Sequence, residues 1–253
     1  MICLRDDNYD RKTDVSKCWY RSMCKLCGTP ECDYTCKKFT QTDYLFQLSN
    51  LPASCWKSQQ LDMSFLAPES SDTLNMILND IEFFVKKGFN LYLYGPTGCG
   101  KSSWAIKLMN NYFATIAEHN DFQTRGLYIS VASFLRDSKL NMTYKNEDFY
   151  DLLRTIQTCD IVIWDDIAQT EATTYESQWL YSYINERILA RKCNIYTSNL
   201  SPDKLEKQDK RLHSRICIGS DCVCIDGFDR RTDNTYTAYI NSEDEANGTA
   251  TDY

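Results

Sequence analysis

LYLYGPTGCGKSSWAIKLMNNYF, residues 91–113, carries a short apolar run into a glycine-rich loop and then into a helical repeat. Residues 91–94 read as a strand, and residues 101–113 as a helix with Trp104, Ile106, Leu108 and Met109 on its apolar surface. Between them Gly95, Pro96, Thr97, Gly98, Cys99, Gly100, Lys101 and Ser102 fit the pattern G-x-x-x-x-G-K-[ST], and Ser103 continues the first helical turn. Glycines let backbone N–H groups turn inward around phosphate oxygens, and the following helix points its positive end at the same place. A lysine there sets a compact charge on the β- and γ-phosphates, and the hydroxyl beside it is a magnesium ligand. The stretch predicts a nucleoside triphosphate site, with ATP and Mg2+ as the expected pair. Cys99 takes a variable loop position, where a thiol beside phosphate would be sensitive to oxidation.

Working outward, IVIWDD at residues 161–166 supplies the acidic half of such a site. Asp165 ends an apolar strand, where a carboxylate can hold the nucleotide's Mg2+ directly or through water. Asp166 stands where an acid can orient or polarise the attacking water, although it reaches one methylene less far than glutamate. Further strands are expected at residues 126–131, 194–197 and 222–225. Leu74, Ile77, Leu78, Ile81, Phe84 and Val85 keep helical spacing behind Asp72 as a cap, and residues 176–191 form another helix. Continuous apolar strands alternating with helices predict an α/β fold: a three-layer P-loop core with a mostly parallel sheet covered on both faces.

Hydrophobic residues make up 43% and charged residues 25% of the 253 positions, an ordinary balance for a globular protein. The net charge of −7 argues against a protein that coats DNA by charge alone. No apolar run approaches the roughly 18 residues of a membrane span, so no membrane partner is expected. The opening MICLRDDNYDRK carries charge where a secretory leader needs an apolar stretch, and the expected location is cytoplasmic.

The chain holds 13 cysteines, and Cys18, Cys24, Cys27, Cys32 and Cys36 crowd into one stretch. Cys24, Cys27, Cys32 and Cys36 have the short spacings of a tetrahedral Zn2+ site, with Cys18 as a substitute ligand. An iron–sulfur cluster or free thiols are the alternatives. A unit this small needs the metal for much of its stability. Residues 1–66 are therefore expected to form a cysteine-rich module, with residues 40–48 as a short helix against the knuckle. Loop formers at residues 67–72 mark the boundary to a core at 67–231, and residues 232–253 form an acidic tail, disordered at its end.

The segment DDIAQTEATTYESQWLYSYINERILARKCNIYTSNLSPDKLEKQDKRLHSRI, residues 165–216, resembles the DnaC/DnaI-type replicative-helicase loaders, a branch of the AAA+ ATPases. WDDI, INER, TSNLS and KRLHSRI carry the resemblance, which covers residues 70–231. It implies that Asn199 is the sensor contacting the γ-phosphate or lytic water. It also implies that Arg215 is an arginine finger reaching a neighbouring subunit, with Arg211 as the second candidate. The implied partners are a hexameric replicative DNA helicase gripped by the metal module, single-stranded DNA, and further copies of the chain. Residues 133–145 and 170–176 would meet the DNA through Lys139, Tyr144 or Tyr175. Arg230 and Arg231 match a second sensor only thinly. Ala168 departs from the family pattern, which has glycine after the acidic turn. An IstB-like transposition ATPase on duplex DNA and a slowly hydrolysing nucleotide-switched adaptor are the competing functions.

Overall fold

The computed structural model describes residues 44–52, 66–117, 123–143, 146–168 and 174–227, with Thr29, Cys55 and Leu61 besides. The elements run α1 (Pro68–Asn79), α2 (Ile81–Lys87), β1 (Asn90–Tyr94), α3 (Lys101–Ile116), β2 (Gly126–Ser130), α4 (Val131–Thr143) and α5 (Glu147–Thr158). They continue with β3 (Ile161–Asp165), α6 (Thr174–Leu189), β4 (Cys193–Ser198), α7 (Pro202–Gln208), α8 (Lys210–Ile216) and β5 (Ser220–Cys224). The five strands form one sheet in the order β2-β3-β4-β1-β5, and every neighbouring pair is parallel.

Side chains alternate between two apolar layers, which is why the strands read as unbroken apolar runs. Leu91, Leu93, Ile161, Ile163 and Ile195 face one layer, packed with Leu74, Ile81, Phe84, Leu108 and Phe113. Tyr92, Val162, Trp164 and Tyr196 face the other, packed with Phe134, Leu153, Ile184, Leu205 and Ile216. Among the described residues no helix is long and apolar enough to cross a membrane.

Two local readings change. The loop formers at residues 67–72 begin α1, because Pro68 lacks the N–H that a first helical turn leaves unbonded. Asp72 thus lies inside the helix rather than capping it, and the chain breaks instead at Asp80, where φ is −131°. Residues 44–47 are helical, but Leu45, Phe46 and Leu51 are buried in the layer of α3, with the Phe46 ring edge-on to Phe113 at 5.3 Å. The Ser49 carbonyl accepts the Tyr128 N–H at 2.8 Å, on the outer side of β2. The apolar core therefore includes side chains that precede residue 67. The cysteine knuckle lies outside the described residues.

A polar knot ties the strands together at the end where β1 and β4 begin. Arg187 of α6 is 1% exposed. Its Nε donates to Asn194 Oδ1 at 2.8 Å, and its terminal nitrogens donate to the carbonyls of Ile156, Cys159 at 3.0 Å and Cys193 at 2.6 Å. The Ile156 and Cys159 carbonyls lie at the C-terminal end of α5, where the helix dipole is negative. Asn194 Oδ1 also accepts from Trp164 Nε1 at 3.1 Å, and its Nδ2 donates to Asn90 Oδ1 at 2.8 Å. Arg187→Met is expected to cost about 3 kcal/mol of stability, because it leaves buried acceptors without donors. A lower urea midpoint with unchanged slope is the expected readout, and an unchanged midpoint would contradict the account.

Candidate nucleotide-binding site

The loop between β1 and α3 is fixed from both sides. The Gly95 N–H donates to the Ser198 carbonyl at 3.3 Å, and the Ile225 N–H donates to the Tyr94 carbonyl at 2.7 Å. Gly95 has φ of 153°, and a Cβ there would lie 2.0 Å from the Ile225 carbonyl oxygen. Gly98 and Gly100 also take positive φ, at 79° and 102°. Lys101, 5% exposed, begins α3 and folds its ammonium onto the loop, donating to the carbonyls of Gly95 at 3.1 Å and Pro96 at 2.6 Å. Ser102 is half-buried in the same turn, followed by Ser103.

The acidic pair lies at the same edge of the sheet, two strands away. Asp165 ends β3 and is 7% exposed. The Tyr128 hydroxyl donates to its Oδ2 at 2.5 Å, and Thr197 Oγ1 donates to its Oδ1 at 2.7 Å. Burial first, and then the Asp165 charge, push the Tyr128 phenol well above its ordinary pKa, so it stays a proton donor. Each Asp165 oxygen keeps a lone pair for a hard cation or its water, and Ser102 offers a hydroxyl of the same chemistry. The residues present thus fit a magnesium site.

Thr197 also shapes the turn that follows. Its Oγ1 accepts the Asp166 N–H at 2.9 Å, and its carbonyl accepts the Ile167 N–H at 2.8 Å. Ser198 Oγ donates to the Ile167 carbonyl at 2.9 Å. Asp166 and Ala168 have φ of 59° and 63°, so two non-glycine residues are left-handed within three positions. Ala168 is therefore a strained position. Asn199 follows β4 at this edge and is half-exposed.

Arg211 and Arg215 stand apart from this cluster. Both are exposed on α8, whose start is capped by Asp209 accepting from the N–H groups of Arg211 and Leu212. Arg215 Nε donates to the Tyr181 hydroxyl at 3.0 Å, and the Arg211 guanidinium lies 4.7 Å from the centre of the Tyr181 ring. The hydrogen bond from Arg215 draws the Tyr181 phenol below its ordinary pKa. These contacts run to α6 of the same chain, and none among the described residues joins Arg215 to its own glycine loop.

Lys139 is exposed on α4. The side chains of Tyr144 and Tyr175, the cysteines at 18, 24, 27, 32 and 36, and Arg230 and Arg231 lie outside the described residues. Among the described residues no group of three or more His, Cys, Asp or Glu could hold a metal ion. Sequence reasoning missed Tyr128, Thr197 and Tyr181. Strand pairing held the signal for the first two: the parallel register sets Ser130 beside Asp165, with Tyr128 two residues back on the same face. The pairing of Trp164 with Tyr196 likewise brings Thr197 level with Asp165.

The family described as the bacterial DnaA ATPase domain matches residues 64–223. The chromosomal replication initiator protein DnaA of Zymomonas mobilis is 27% identical over 135 residues, which are 53% of this chain and 26% of that protein. The DnaA protein of Aliarcobacter butzleri is 26% identical over 159 residues, 62% of this chain and 33% of that protein. The chain thus spans about a quarter to a third of the length of these relatives. Among solved structures, the DnaC helicase loader matches with a TM-score of 0.55 and 16% identity, covering 69% of this chain and 100% of that one. DnaI matches with a TM-score of 0.56 and 18% identity, covering 72% and 95%. A replication initiator DnaA bound to AMPPCP and single-stranded DNA matches at 0.51 and 17%, covering 72% and 51%. At these identities the structural likeness speaks for the fold.

Two substitutions probe the acidic turn. Ala168→Gly should raise stability by about 1 kcal/mol by removing the left-handed alanine, and a lower urea midpoint would refute the strain. Thr197→Val should cost about 2 kcal/mol, since one hydroxyl serves both Asp165 and the Asp166 N–H. Calorimetry should also show its magnesium-dependent nucleotide affinity falling; unchanged affinity would detach Thr197 from the site.

Proposed function

The chain belongs to the bacterial DnaA ATPase domain family, and on that footing we propose that it is a magnesium-dependent ATPase delivering a replicative DNA helicase onto single-stranded DNA. The observation that supports this reading best is the continuous path from loop to acid: Gly95 bonded to Ser198, and Thr197 next to it bonded to Asp165. It ties the phosphate-binding loop and the acidic strand end to a single intervening strand, as phosphoryl transfer requires of groups that must meet around one metal ion.

On this reading Lys101 and the loop N–H groups hold the β- and γ-phosphates, and Ser102 and Asp165 hold Mg2+. Asp166 and Asn199 position the attacking water. Arg215 comes from a neighbouring copy, so hydrolysis waits for assembly, and the lone chain is a poor ATPase. Cys24, Cys27, Cys32 and Cys36 form a zinc-held module that grips the helicase, and the protein works in the cytoplasm. Its product is conformational: ATP holds copies and DNA together, and hydrolysis releases them.

A second reading, a replication initiator acting on DNA itself, is favoured by the family match and by the curated relatives. Co-purification separates the two. A loader should retain a replicative helicase, and Cys24→Ser with Cys27→Ser should lose it. Failure of the unaltered chain to retain any helicase, while single-stranded DNA still raises its ATPase rate, would put the initiator reading in its place. A response to duplex DNA alone would remove the loader. Arg215→Ala should lower kcat by about 10³-fold while ATP binding persists in calorimetry, and an unchanged rate would refute the finger assignment.

A further inference from the structure

Arg211 and Arg215 lie one helical turn apart on α8. Leu212 and Ile216, at 6% and 0% exposure, anchor the opposite side of that helix in the core. Two guanidiniums spaced i, i+4 repel each other, and neither forms an ion pair among the described residues. Between them and α6 stands Tyr181, half-exposed, with Arg211 over its ring at 4.7 Å, Arg215 at 5.9 Å, and its hydroxyl accepting from Arg215 Nε at 3.0 Å. The ring's negative face and the phenol oxygen offset the repulsion that would otherwise splay the two side chains. Because the hydrogen bond uses Nε, both terminal nitrogens of Arg215 stay available, and a planar fork of that kind matches phosphate oxygens two at a time.

We propose that Tyr181 is a positioning residue that braces Arg211 and Arg215 as a two-guanidinium clamp for the triphosphate of a neighbouring copy. The proposal rests on the neighbour-supplied arginine described above. Long arginine side chains lose rotamer freedom when they engage a ligand, and the tyrosine transfers part of that loss to folding. The clamp then meets the departing phosphoryl group already oriented, so the brace acts on turnover rather than on the binding of ATP in the same chain.

The test compares Tyr181→Ala and Tyr181→Phe in steady-state ATP hydrolysis at a protein concentration that supports assembly. Tyr181→Ala should lower kcat about tenfold with KM for ATP unchanged, and Tyr181→Phe, which keeps the ring and loses the hydroxyl, about threefold. Adding Lys101→Ala copies, which have a disabled loop and an intact brace, should restore turnover to Tyr181→Ala. A subunit whose own glycine loop was disturbed by the substitution would gain nothing from that mixture. Unchanged kcat in Tyr181→Ala, or no recovery on mixing, would overturn the brace. Normal turnover in Arg215→Ala would overturn the neighbour-supplied arginine and the brace together. Loss in Arg215→Ala without loss in Tyr181→Ala would overturn the brace alone.

Discussion

A buried guanidinium sets the geometry on which the candidate site depends. Arg187 joins the end of α5 to the start of β4, and through Asn194 it reaches Trp164 of β3 and Asn90 of β1. Three adjacent strands are thus locked in register at the edge opposite the glycine loop. Slippage by one residue would turn every side chain of a strand to the other face. Asp165 would then lose both hydroxyls that hold it, and the Ser198 carbonyl would no longer meet Gly95. The candidate site at one end of the strands is positioned from the other.

At the glycine-loop end of the strands, neutral hydroxyls orient the acidic strand end. Tyr128 and Thr197 fix the Asp165 carboxylate without neutralising it, and Thr197 and Ser198 hold the strained turn of Asp166 and Ala168. Fixed dipoles around a nearly buried acid would need little rearrangement to receive a cation, which is the meaning of preorganisation here.

The parts of this design written locally in the sequence were legible. The glycine loop, the acidic strand end and the alternation of strands and helices each occupy a contiguous run, and the fold follows from them. Tyr128 and Asp165 are separated by 37 positions, and Tyr181 and Arg215 by 34, so their contacts appear only once strands and helices are paired. Arg187 lies within INER, yet nothing in its own segment tells that its partners are carbonyls at the end of α5 and in β4. Residues 67–72 read as a loop yet begin α1, because proline, serine and aspartate serve helix starts as well as loops. The missing glycine at Ala168 was visible, and its meaning waited on the backbone angle. The cysteine spacing remains an expectation about residues outside those described.

The outer strand β2 is covered by chain that precedes the ATPase core as the sequence first divided it. Ser49 occupies the Tyr128 N–H, and Leu45, Phe46 and Leu51 fill the layer beside Phe113. A fragment starting at Ala67 would bare an open strand edge next to an uncovered aromatic surface, the combination on which sheets of separate molecules join and precipitate. The exposure of that edge and surface in residues 67–231 is therefore governed by the segment before them.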